Sequence, residues 1–310
     1  MCGIVGYIDK RGDRPAPVGR ILFRMLSALG RRGPDSTGVA IFGEDRAGVV
    51  VRVKLGECGD LESRAAAVRE AAATRLTVRA ANIQGHYLRL VVESVEDVLS
   101  LETSLERVHP EIEVISIGRR LEIMKEVGPP SGLEQRFAIS QLAGTHAIGH
   151  TRLSTESRVD LSHSQPFWAH GTFDLTVVHN GHITNYHRLR RRYEGEGVRF
   201  YTENDSEIIG IYLARKLRAG ATLGDALTDS IRDLDGSFSY LAATADVLGF
   251  AKDPFCLKPL IVAESDDAVA IANEEIALTA VLPGARPREA GAGAVRVWER
   301  PTARRRGKAA

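Results

Sequence analysis

The chain begins Met1-Cys2-Gly3-Ile4-Val5-Gly6-Tyr7, so removal of the initiator methionine would leave a cysteine at the amino terminus. One residue would then carry both a nucleophile and a base. The thiol is the nucleophile, and an α-amine with a reference pKa of about 7.7–8.0 is suited to take its proton through a bridging water. Three further segments have the residue types of a polar pocket. In Gly149-His150-Thr151-Arg152-Leu153-Ser154-Thr155 an arginine closes an apolar run, where its planar fork can meet a carboxylate. In Val177-Val178-His179-Asn180-Gly181 a strand ending in Asn-Gly would set an amide side chain beside a backbone N–H, the two donors of an oxyanion hole. In Thr202-Glu203-Asn204-Asp205-Ser206-Glu207, Asp205 stands at a helix start and can receive an ammonium group.

Each feature also has a plainer reading. Cys2 fits a small buried residue opening a strand, Arg152 an interior ion pair, Asn180-Gly181 a type I′ hairpin turn, and Asp205 a helix N-cap. Taken together they supply a nucleophile, an oxyanion hole, a carboxylate clamp and an ammonium acceptor. A free amino acid with a side-chain amide matches all four. The pairs His146/His150 and His179/His182 have spacings that could suggest a metal, but they fall in predicted strands or turns and lack companion ligands, so no metal is expected. Cys58 and Cys256 read as inert, and Trp168 as a core aromatic or a cover for the pocket.

The elements that must position these residues follow from hydrophobic period. Residues 2–8 read as a strand, and Ile21, Leu22, Met25, Leu26 and Leu29 give helical spacing over Val18 to Leu29. Gly33-Pro34-Asp35-Ser36 is turn chemistry before a strand at 38–42. Residues 61–73 and 95–108 read as helices, and 86–92 and 111–117 as strands. The region of roughly 50–140 carries no recognisable chemistry and reads as an α/β insertion able to form its own layer, with a break at Gly128-Pro129-Pro130. Beyond it, strands are expected near 146–152, 174–179, 237–244, 248–252, 259–263 and 268–272, and helices near 184–193, 205–218 and 223–233.

Composition excludes several classes. The 310 residues are 44% hydrophobic and 26% charged, which describes an ordinary globular chain. Forty-one Lys and Arg against 40 Asp and Glu give a net charge of +1, so no global field favours nucleic acid or a membrane surface. Three cysteines without paired spacing exclude a disulfide framework and fit a reducing cytoplasm. No export signal or membrane-length apolar run is present, and no glycine-rich phosphate loop of either common type, so no cofactor is expected. The Arg304-Arg305-Arg306 tail reads as a solvated extension.

Five ordered motifs carry a resemblance. Cys2-Gly3-Ile4-Val5-Gly6, Arg32-Gly33-Pro34-Asp35-Ser36-Thr37-Gly38, His150-Thr151-Arg152, Val178-His179-Asn180-Gly181 and Glu203-Asn204-Asp205-Ser206-Glu207 resemble those of the class II glutamine amidotransferases. The resemblance implies the amino-terminal-nucleophile hydrolase fold, an α+β four-layer αββα sandwich, over residues 2–285, with the insertion inside it and 286–310 as a C-terminal extension. It implies Cys2 as nucleophile, Asn180 and the Gly181 N–H as oxyanion hole, Arg152 on the α-carboxylate of L-glutamine, Asp205 on its α-ammonium, and Thr155 at the same end. Leu153 and Glu156 depart from the tryptophan and histidine of the sugar-amidating branch. Ser164-Gln165-Pro166-Phe167 and Ala251-Lys252-Asp253-Pro254-Phe255-Cys256-Leu257-Lys258-Pro259 are nearer in wording to glutamate synthase-like systems, and the insertion and Ala280-Val281-Leu282-Pro283-Gly284 to stand-alone subunits of N-methylglutamate synthase type. There the resemblance implies partner chains: a flavin-containing synthase that receives the ammonia, and a β-helical subunit. Two alternatives stand beside this: a non-catalytic glutamine-sensing or scaffolding subunit of the same complex, and a hydrolase of the same fold acting on another amide, for which Arg152 and Asp205 would be superfluous.

Overall fold

A computed structural model describes residues 2–12, 15–44, 46–154 and 158–300. The strands Gly3–Asp9, Ser36–Phe42 and His146–Arg152 are each buried along their whole length, the first two through largely apolar sequence and the third with His146, His150, Thr151 and Arg152 buried as well. Strands of that kind must be covered on both faces. They form the middle of a seven-stranded sheet in the order Arg288–Glu289, Ile261–Glu264, Ala268–Ala272, Gly3–Asp9, His146–Arg152, Ser36–Phe42, Leu121–Val127. One face carries the helix Val18–Leu29, which turns Val18, Leu22, Met25, Leu26 and Leu29 inward as its spacing predicts. The other face packs on a five-stranded sheet ordered Val295–Glu299, Val247–Lys252, Gly236–Ala243, Thr176–Ile183, Phe167–Trp168.

Close approach of the sheets depends on missing side chains. At Gly6 a Cβ would press on Leu241 of the opposite sheet, and at Gly38 it would collide with the Gln165 carbonyl. The outer face of the five-stranded sheet is closed by the helices Tyr186–Gly195, Asp205–Arg218 and Leu223–Asp233, which share a core with Val177, Phe238, Tyr240 and Ala251. Each large apolar side chain buried there contributes roughly 1.5–3 kcal/mol. The result is the expected αββα sandwich. No helix among the described residues is long and apolar enough to cross a membrane.

Within the expected insertion lies a separate four-stranded sheet ordered Val78–Gln84, Tyr87–Val92, Val49–Lys54, Glu113–Gly118, with the helices Leu61–Ala73 and Val98–Glu106. It closes near residue 118, some twenty residues before the expected end. Leu121–Val127 instead returns to the seven-stranded sheet, pairing Ser36 with Val127 through Phe42 with Leu121, and the helix Pro130–Phe137 follows it. At the other end of the chain, Arg288–Glu289 and Val295–Glu299 each add an edge strand to one of the two large sheets. Trp168 is a core residue, 3% exposed, with its indole N–H donated to the Thr172 carbonyl.

Candidate active site

Register brings the first motif to the third. Antiparallel pairing of Gly3 with Thr151 and Ile4 with His150 carries Cys2 to the end of the Arg152 strand. There the Leu153 N–H donates to Cys2 Sγ at 3.4 Å, and the thiol lies 3.6 Å from the Leu153 carbonyl. The thiol opens into a cavity of about 1080 Å³ whose lining includes Arg32, Arg152, His179, Asn180, Gly181 and Asp205. Five of the six expected site residues therefore share one pocket. Thr155 lies outside the described residues.

Asn180 and Gly181 do not end a strand and do not form a hairpin turn. The strand runs on to Ile183, pairing Asn180 with Ser239 and Gly181 with Phe238. Gly181 adopts φ +137°, and a Cβ there would collide with the Ser237 carbonyl, so only glycine fits. Asn180 donates from Nδ2 to the Cys2 carbonyl at 3.1 Å, while its Oδ1 is buried on the side of His150. The side-chain amide is thus already beside Cys2.

Asp205 is not the helix cap. Asn204 takes that place, accepting the Ser206 N–H at 3.0 Å, and Asp205 is the first helical residue. Its Oδ2 accepts the Ile183 N–H at 2.7 Å, tying helix to strand. Its Oδ1 stands 3.8 Å from His179 Nδ1, which meets the Ser206 hydroxyl at 2.9 Å. Burial pushes the His179 imidazole below the usual histidine range, so at neutral pH this contact is not an ion pair. His150, beneath Asn180, is pushed down to about 3 by burial and is likewise neutral.

Arg152 is 4% exposed and donates to the Arg158 carbonyl at 2.7 Å and to Ser154 Oγ at 3.3 Å. Burial lowers its pKa, yet a guanidinium stays charged at any working pH. These bonds fix the fork in place at the pocket wall. His146 stacks on Phe42 and bonds Thr145 and the Thr244 carbonyl.

Four residues that sequence reasoning left without a role complete the site. Gln165 clamps the Asn180 strand to the Asp205 helix, accepting the His179 N–H at 2.6 Å and donating to the His179 carbonyl and Ser206 Oγ. Asn273 donates to the Cys2 carbonyl at 3.2 Å and accepts the Ile4 N–H at 3.0 Å. Arg32 donates Nε to the same carbonyl at 3.3 Å and is ion-paired with Glu274. The Asn-after-a-strand signal that flagged Asn180 was present at Asn273 too, following the run 268–272.

An αββα sandwich with a cysteine at the head of a central strand and side-chain donors from the facing sheet is the fold of the amino-terminal-nucleophile hydrolases. The family profile described as a glutamine amidotransferase domain matches residues 150–280. A glutamine amidotransferase homologue of Methanothermobacter thermautotrophicus is 37% identical over 96% of this chain and all of its own length. The glutamine amidotransferase-like protein GlxB of Rhizobium meliloti is 36% identical, covering 90% of this chain and 91% of its own. The chain belongs to the glutamine amidotransferase family. Among solved structures, the glutamine phosphoribosylpyrophosphate amidotransferase of B. subtilis superposes with a TM-score of 0.63 at 22% identity over 96% of this chain. This chain spans about half of that structure (47%), and the likeness is one of fold.

Proposed function

We propose that this protein is a glutaminase: with Met1 removed, Cys2 hydrolyses the side-chain amide of L-glutamine to glutamate and ammonia. The observation that carries the reading is the single cavity holding the Cys2 thiol, Asn180, Gly181, Arg152 and Asp205. The thiol proton passes to the α-amine, and the sulfur attacks the amide carbon. The oxyanion takes hydrogen bonds from Asn180 Nδ2 and the Gly181 N–H. The carbon–nitrogen bond breaks as the α-ammonium returns its proton to the leaving nitrogen, and water then cleaves the γ-glutamyl thioester. Arg152 and Asp205 select a substrate with both an α-carboxylate and an α-ammonium, and Thr155 adds a polar contact at that end.

The ammonia goes, on this reading, to a partner synthase of glutamate synthase-like type. Support comes from the wording at Ser164-Gln165-Pro166-Phe167 and Ala251 to Pro259. Residues 2–285 act as the amidotransferase unit, in the reducing cytoplasm, with the flavin-containing and β-helical chains as partners.

The test is the intact mass of the protein before and after incubation with 6-diazo-5-oxo-L-norleucine, a glutamine analogue that alkylates a competent nucleophile. Loss of Met1 and one adduct on Cys2, absent from Cys2→Ala, is the expected result. A processed chain with no adduct and no glutamate release would overturn the glutaminase reading and leave a glutamine-sensing or scaffolding subunit.

A further inference from the structure

The carbonyl of Cys2 has two lone pairs and three donors: Asn180 Nδ2 at 3.1 Å, Asn273 Nδ2 at 3.2 Å and Arg32 Nε at 3.3 Å. One donor is therefore surplus in this arrangement. Asn180 is the one with other work on the proposed reaction path, because the oxyanion needs its N–H. If it alone held the carbonyl, turning to the oxyanion would release the nucleophile's peptide at the moment of attack.

Asn273 and Arg32 remove that conflict, and both depend on the two residues that follow the Ala268–Ala272 strand. That strand pairs with Gly3–Asp9 as far as Val5 opposite Ala272. Beyond the last pair, the Asn273 side chain takes over from the backbone ladder. Its Oδ1 accepts the Ile4 N–H and its Nδ2 donates to the Cys2 carbonyl, so one side-chain amide mimics one more peptide unit of the sheet. Asn273 is 2% exposed, so its geometry is fixed by packing. Glu274, next in the chain, holds the Arg32 guanidinium whose Nε reaches the same carbonyl.

Building on the glutaminase reading, we propose that Asn273 is a positioning residue for the reaction, and that with the Glu274–Arg32 pair it keeps Cys2 in place while the Asn180 amide turns from the Cys2 carbonyl to the oxyanion. The interaction acts through Cys2, so it bears on the chemical step and not on how glutamine is held by Arg152 and Asp205.

The experiment compares the full-length wild-type protein with Asn273→Ala and Asn273→Asp by steady-state glutaminase kinetics and by hydrogen exchange at the Ile4 amide. Asn273→Asp retains an acceptor for the Ile4 N–H but places a carboxylate oxygen against the Cys2 carbonyl. The expected result is a kcat loss of about 10- to 100-fold in both variants with KM within about twofold. Ile4 exchange should be protected in wild type and Asn273→Asp and faster in Asn273→Ala. Retained kcat in Asn273→Asp would overturn the proposal, as would a loss in which kcat falls only together with a rising KM and a lower unfolding midpoint, the pattern of general loosening. A wild type with no glutaminase activity would instead refute the functional reading. In that case Ile4 exchange unchanged by Asn273→Ala would refute the anchor separately.

Discussion

Replacement of Asp205 by asparagine tests the substrate-binding end of the site without disturbing the nucleophile. Asp205 lines the cavity; its Oδ2 accepts the Ile183 N–H at 2.7 Å, and its Oδ1 stands 3.8 Å from Nδ1 of a His179 that burial keeps neutral. Asparagine keeps one carbonyl oxygen for Ile183, so the tie between strand and helix survives. Loss of the acidic group from the first helical turn costs about 0.3–1 kcal/mol through the helix dipole. On the proposed binding mode, what disappears is a charge-assisted hydrogen bond to the substrate ammonium, worth about 2–3 kcal/mol. At 1.4 kcal/mol per factor of ten, that is about a 30- to 150-fold rise in KM for L-glutamine with kcat little changed. Steady-state glutamate release measures it, with 4-carbamoylbutanoate, which lacks the α-amine, as the control substrate. Asp205→Asn should lower kcat/KM for glutamine and leave that of the control unchanged. Equal losses on both substrates, or an unchanged KM for glutamine, would refute the assignment of Asp205 to the ammonium.

Two further expectations concern stability in the insertion and its junction with the main sheet. Glu122 is clamped by Arg52 at 3.0 Å, Arg89 at 2.8 Å and Arg46, and its carboxyl is held down to about 2. Glu122→Gln leaves Arg52, 3% exposed, without its counter-charge and should cost about 3–5 kcal/mol in denaturant titration at pH 7. Because the folded pKa lies below the ordinary 4.5, the wild-type advantage is present above pH 4.5 and fades as pH falls toward 2. Lys125, 3% exposed, packs its ammonium over the Phe167 ring at 5.1 Å, and burial pushes it down to about 8 from 10.5. The unfolded chain binds more protons between those values, so wild-type stability should rise by about 3 kcal/mol relative to Lys125→Met as pH increases from 8 to 10.5. Parallel pH curves for the two proteins would refute it.

The sequence by itself supplied the candidate site residues and most of the elements that hold them. Cys2 was legible from its place behind the initiator methionine, and Arg152, Asn180, Gly181 and Asp205 because each stands where an apolar run gives way to polar residues or a helix begins, which are local events. The Val18–Leu29 helix was legible from its apolar period and Leu61–Ala73 from its run of alanines, both of which are written within a few turns. Only the tertiary structure decided which sheet each strand joins. Val78–Gln84 and Leu121–Val127 have no period that separates insertion from main sheet, and that choice is made by partners tens of residues away. It also decided what holds the nucleophile. Asn273 lies 271 residues from Cys2, and Gln165 gains its role only when His179 and Ser206 come within reach. Hydrogen bonds of that kind depend on chain closure, which residue type and spacing do not encode; once two sheets stack, buried amides must find partners wherever the packing has put them.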